Sequence, residues 1–198
     1  MTRTSRIAPL EPPYPDDVAE QLRSMMPPGV PPIGLFRTFV RNMPMARAMS
    51  TWGGYELGRE LSLSLREREI VIDRTCARCG CEYEWGVHVA FFGERAGLDS
   101  TQVASLTHGS PADPCWADER ERVLIAAIDE LHDTADLTDA TWARLAAELD
   151  EREILDLLLL TGWYHAISYV ATAARIAPEP GAPRFADVTA GRAAHDGG

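Results

Sequence analysis

From residue 35 to residue 176 the apolar positions recur at the spacing of helices and nowhere settle into sustained strand alternation. The pattern predicts helices over 35–50, 51–62, 66–79, 81–97, 100–107, 116–133, 138–148, 151–160 and 161–176. Asp99 and Ser100 supply a start signal for the helix that follows, Thr138 supplies another, and Gly97 and Gly109 are stops. Ile70-Val71-Ile72 is β-branched, yet Arg66 to Arg68 before it and the Cys-rich stretch after it favour helix. The predicted class is all-α. Ile154 to Ala174 has the length and apolarity of a membrane span, but Asp156, His165 and Ser168 inside it make it a buried core or interface helix.

The ends are different. Residues 1–34 form a proline-rich arm, with Pro9, Pro12, Pro13 and Pro15 on one side of a short helix at 16–26 and Pro27, Pro28, Pro31 and Pro32 on the other. Residues 35–177 make the domain, and 178–198 have the composition of a flexible C-terminal tail. Inside the domain, Leu65–Ile70 and Leu149–Ile154 agree at five of six positions across an offset of 84. That offset predicts two related helical hairpins about a pseudo-twofold.

Composition narrows the chemistry. The 198 residues carry 19 basic side chains against 30 acidic ones, a formal net charge of −11, which disfavours nucleic acid and anionic membranes as partners. All the basic residues are Arg. Without Lys there is no Schiff-base chemistry and no P-loop. G-x-S-x-G, H-E-x-x-H and G-x-G-x-x-G are also missing, and no secretory signal precedes the first prolines. Three of four Cys crowd into 76–81, which suits a reducing cytoplasm rather than a disulfide scaffold.

The informative window runs from Glu69 to His88. On a helix beginning near Gly80, Cys81, Glu84 and His88 share one face, with Phe91 and Phe92 completing it. A carboxyl raised by desolvation next to an imidazole can give and take protons near neutral pH. Such a Glu–His pair is also common as simple helix decoration, and clustered Cys are often small buried hydrophobes. Cys76-x-x-Cys79 is a possible redox pair. Cys76, Cys79, Cys81 and His88 as a zinc set suffer from the Cys79-x-Cys81 spacing, so no metal is assigned.

These residues resemble the active-site segment of the AhpD-like superfamily, which joins alkylhydroperoxidase D to γ-carboxymuconolactone decarboxylase. The peroxidase branch carries Glu-x11-Cys-x2-Cys-x3-His; here Glu69, Cys81 and His88 fall on its glutamate, first cysteine and histidine, and Glu84 falls on the attacking cysteine. The decarboxylase branch has Glu-x3-His at this place, as Glu84 and His88 do. The resemblance covers residues 35–177. It implies an AhpD-like helical protomer, a homotrimer or homohexamer, and a site near a subunit boundary.

It also implies a cofactor-free lyase of the carboxymuconolactone decarboxylase type, acting on a small unsaturated lactone or oxo acid. His88 is then the acid/base, with Glu84 and Glu69 in its network; Cys81 is the fourth catalytic candidate. Candidate substrate contacts are Arg74 and Arg78, which suit a carboxylate, together with Tyr83, Trp85 and His165, the last occupying the place of Cys81 in the offset repeat. A thiol-dependent peroxidase and a non-catalytic oligomeric binding protein are the alternatives.

Overall fold

The computed structural model describes residues 4–188, and every regular element among them is helical. In chain order these are α1 (Asp16–Ser24), α2 (Gly34–Phe39), α3 (Met43–Glu56), α4 (Leu65–Arg78) and α5 (Glu82–His88). A π-helical turn at Val89–Gly93 continues α5. Then follow α6 (Ser100–His108), α7 (Glu119–Thr134), α8 (Asp139–Glu148), α9 (Glu151–Ala173) and a 3₁₀ turn at Phe185–Asp187.

Local chemistry explains where the helices begin. Ser64, Asp99 and Asp150 each accept the backbone N–H three residues on, and Glu67, Gln102 and Glu153 accept the cap residue's own N–H in return. Thr138 caps α8 on its Thr141 N–H. The 35–50 expectation divides at Asn42, which caps α3 ahead of Pro44. The two segments expected at 151–160 and 161–176 are one helix, because nothing at Gly162 interrupts α9.

At the centre lies α4, buried without a break from Arg68 to Cys76 and packed against α5, α6, α7 and α9. It runs parallel to α7. Arg66 Nε meets Glu121 at 2.5 Å, Arg74 grips Asp129 with two bonds of 2.7 and 2.8 Å, and Arg78 meets Asp133 at 2.5 Å. Arg120 of α7 returns the gesture to Glu67 of α4. The internal correspondence therefore sets Ser64-x-Arg66-Glu67 against Asp118-x-Arg120-Glu121, not α4 against α9. The repeat expected at an offset of 84 is two helices that happen to start alike; a single 23-residue helix stands where the second hairpin was expected.

Among the described residues α9 alone is long and apolar enough to cross a membrane, and more than half of that window is buried against the fold. Asp156 within it accepts hydrogen bonds from the Tyr55 hydroxyl and from the Ser62 N–H and hydroxyl, at 2.6, 2.8 and 2.6 Å. These partners let a carboxylate sit in the core.

Both ends pack on this framework. Val18 and Leu22 of α1 enter the core, and Arg6 N–H donates to the Ala174 carbonyl at 2.8 Å. Residues 178–188, expected within a flexible tail, are held: Glu179 accepts from Gly34 N–H and Tyr83 hydroxyl at 2.6 and 2.5 Å, and the Phe185 ring packs tilted against Trp85 with centroids 5.0 Å apart. Gly86 makes room for them, since a Cβ there would lie 2.6 Å from the Pro183 carbonyl oxygen. The rest of that expected tail, 189–198, lies outside the described residues.

Candidate active site

His88 closes α5, and the ladder widens to π geometry immediately after it, a feature that often accompanies functional sites. Its ring is 3% exposed and is gripped from both sides. Nδ1 lies 2.8 Å from Glu69 Oε2 on α4, and Nε2 lies 2.9 Å from the Tyr164 hydroxyl on α9. A carboxylate can only accept here, so Nδ1 carries the proton and Nε2 accepts from the phenol. Arg68 completes the line by donating to the other Glu69 oxygen, Oε1, at 2.8 Å; its guanidinium also rests over the Phe92 ring. Three helices thus build a chain running Arg68, Glu69, His88, Tyr164.

Charge bookkeeping along this chain is one-sided. Burial alone would raise the Glu69 carboxyl, but His88 and Arg68 outweigh it and hold it below its ordinary value. Tyr164 is pushed well above the usual phenol range, chiefly by burial and then by Glu84 and Glu69, so it stays a donor. Asp73, one turn beyond Glu69, has neither oxygen partnered among the described residues and is driven well up by burial and by Glu69.

Glu84 stands on the near side of His88. Its Oε1 is 3.8 Å from His88 Nε2, and its Oε2 is buried with no partner among the described residues. Burial pushes this carboxyl up to about 7, opposed by His88 and assisted by Glu179. Glu84, His88 and Tyr164 line a cavity of about 380 Å³, the size class of a small-molecule site. Apart from Ser24 and Ser50 its remaining walls are apolar, including Phe36, Phe39, Phe91, Phe92, Trp163 and Ile167.

The other candidates from the sequence lie elsewhere. Cys81, 1% exposed, occupies the N-cap of α5 outside the cavity, and burial raises its thiol. Arg74 is spent on Asp129 and on the Leu106 and Gly109 carbonyls, while Arg78 is paired with Asp133; both face α7 and neither lines the cavity. The Tyr83 hydroxyl bridges Glu179 and the Leu35 N–H. Trp85 is fully buried beneath Phe185. His165 faces His132, not the cavity. Arg74, Tyr83 and Trp85 are used up in holding the fold, which the local sequence did not reveal. Sequence reasoning missed Tyr164 and Arg68. Tyr164 is separated from His88 by 76 residues and carries no local signal; Arg68 hides in a charged helix start.

Residues 44–129 match the model of the carboxymuconolactone decarboxylase family, a stretch that includes Glu69, Glu84 and His88 but stops before Tyr164. No curated protein matches the chain. Among solved structures, an uncharacterized peroxidase-related protein from Silicibacter sp. TM1040 is 20% identical, with 91% of this chain and 96% of that one covered at a TM-score of 0.78. A protein of unknown function from Agrobacterium tumefaciens, associated with AhpD antioxidant defence, is 19% identical over 71% of this chain and 95% of that one, with a TM-score of 0.63. The debrominase Bmp8, bound to 2,3,4-tribromopyrrole, is 13% identical over 91% of this chain and 95% of that one, with a TM-score of 0.75. At such identities these likenesses show an AhpD-like fold.

Proposed function

We propose, from the match of residues 44–129 to the carboxymuconolactone decarboxylase family model, that this chain is a cofactor-free acid–base enzyme of decarboxylase type acting on a small, largely apolar unsaturated lactone or oxo acid. The observation that carries the reading is Glu84: an unpartnered buried carboxyl oxygen at the wall of an apolar cavity, with a pKa near 7 and an imidazole behind it. Such a group can act as a proton donor at neutral pH and as a base once ionised.

In the decarboxylation, the bond to the substrate carboxylate breaks and CO2 leaves. The electron pair passes into the conjugated carbonyl, giving an enolate. The Tyr164 hydroxyl, lining the same cavity, turns its single hydrogen from His88 Nε2 to the developing oxyanion. Glu84 then gives its proton to carbon, and the carboxylate so formed recovers one from water, with His88 oriented by Glu69 to stabilise the exchange. Among the described residues the cavity wall contains no Arg, so a substrate carboxylate there faces Phe and Trp side chains; losing its charge to a delocalised system is favoured in such surroundings. The debrominase's ligand is likewise a small unsaturated ring, which supports the size and polarity assigned to the substrate.

A thiol mechanism has less support, because Glu84 stands at the attacking position and burial raises both Cys76 and Cys81. The test is a panel of unsaturated γ-lactone acids and cyclic oxo acids assayed in D2O for CO2 release and for deuterium in the product. Wild type is expected to turn over at least one of them, with kcat falling as pH rises through about 7, where Glu84 loses its proton. Glu84→Gln should lose about 10²–10⁴-fold, and Cys81→Ser should keep its activity. A dead Cys81→Ser together with peroxide consumption by wild type would overturn the proposal.

A further inference from the structure

At the far end of α4 from Glu69, about 15 Å along the helix, a second cluster assembles from residues the acid–base site does not use. Cys79 lies at the C-cap of α4, His132 in the last turns of α7 and His165 midway along α9. The Cys79 thiol is 3.9 Å from His132 Nδ1, which is 3.0 Å from His165 Nε2. All three donor atoms lie within 4.8 Å of one another, and all three residues are half-buried. We propose that Cys79, His132 and His165 form a binding site for a divalent zinc-class cation, with the fourth position open to solvent.

Three observations support it. The first is geometry. Bond lengths of about 2.05 Å for Zn–N and 2.3 Å for Zn–S place tetrahedral donors about 3.3 Å apart for N and N, and about 3.6 Å apart for S and N. The His132–His165 and Cys79–His132 separations of 3.0 and 3.9 Å need adjustments of a few tenths of an ångström, and the Cys79–His165 separation, within 4.8 Å, closes by at most about 1.2 Å.

The second is the orientation of His165. Its Nδ1 donates to the Thr161 carbonyl at 2.8 Å, which fixes the tautomer and turns the Nε2 lone pair into the cluster. That backbone anchor is the usual support for a metal-bound imidazole.

The third is charge. Arg78, the nearest fixed cation, is itself offset by Asp133 at 2.5 Å and Asp129 at 3.5 Å. The soft thiolate with two imidazoles favours zinc over magnesium or calcium.

The experiment uses the full chain, stripped with a chelator and titrated with zinc by calorimetry and with cobalt by absorbance. One equivalent should bind, and cobalt should show a thiolate charge-transfer band that is absent in Cys79→Ser. His132→Gln and His165→Gln should each weaken zinc binding on the order of tenfold or more. His88→Asn should bind as wild type does, which separates this site from the acid–base one. A wild-type readout covers variants that fail to fold: zinc should slow alkylation of Cys79 but not of the half-buried Cys115. No stoichiometric binding, a cobalt complex without the thiolate band, or undiminished affinity in folded His132→Gln and His165→Gln would overturn the proposal.

Discussion

The two ends of α4 set a histidine into contrasting company. Near its start, His88 is fully enclosed by Glu69, Tyr164 and Glu84; near its end, His132 and His165 are half-exposed beside Cys79. Carboxylates around a buried ring fix where protons reside, which suits proton transfer. A thiol and a second imidazole offer lone pairs that converge on one point, which suits a metal. The same residue type thus carries two chemistries, and the difference lies in what the surrounding helices contribute.

The largest effect expected is a crossed one. Glu84→Gln should cost turnover about 10²–10⁴-fold and leave zinc affinity where it was. Cys79→Ser should abolish the cobalt thiolate band and leave turnover where it was. If either change moved both readouts, the two ends would be one coupled unit and the contrast would fail.

A smaller effect follows from the titration of the buried end. Glu84 has its carboxyl raised from 4.5 to about 7 in the folded chain, so the folded state holds an extra proton between those values. Stability therefore falls as pH rises from about 4.5 to about 7, by up to about 3 kcal/mol, and stays low above that. Glu69 works with the opposite sign. Its folded value is depressed, so its contribution is present above 4.5 and is lost as pH falls through the lower folded value. Denaturant melts from pH 4 to pH 8 should show Glu84→Gln equal to wild type at the acid end and more stable than it at the alkaline end. A parallel pair of curves would mean that Glu84 is solvated and not raised.

What the sequence disclosed follows the range of the interactions. Helices were legible because caps and apolar periodicity act within a turn or two: Asp99 and Thr138 start α6 and α8 where they were expected to. Glu84 and His88 were legible for the same reason, four residues apart on one helix. The expected pseudo-repeat failed because a match of charged residues at helix starts reports capping chemistry, and the helices that truly mirror each other, α4 and α7, are tied by Arg–carboxylate pairs 53 to 55 residues apart. Arg74 and Arg78 looked free in sequence for that reason. Tyr164, His132 and the pairing of Cys79 likewise depend on helices far apart in the chain, and no local pattern encodes them.

The smallest change gives the sharpest separation, because Tyr164 and His165 are consecutive on α9 and each serves a different end of α4. Tyr164→Phe keeps the ring that packs edge-on against His88 at 5.1 Å and removes only the hydroxyl that donates to Nε2. The buried nitrogen then lacks its partner, which costs about 1–3 kcal/mol, and Glu84 becomes the nearest group to it at 3.8 Å. Thermal or denaturant unfolding should show that loss, and kcat should fall by more than KM changes if the phenol stabilises the oxyanion. Zinc titration of the same variant should be unchanged, since the His165 anchor to Thr161 is one of α9's own hydrogen bonds. Weakened zinc binding in Tyr164→Phe would show that α9 shifts as a body and carries strain from one end to the other; unchanged binding would mean that two neighbouring residues on one helix serve independent sites.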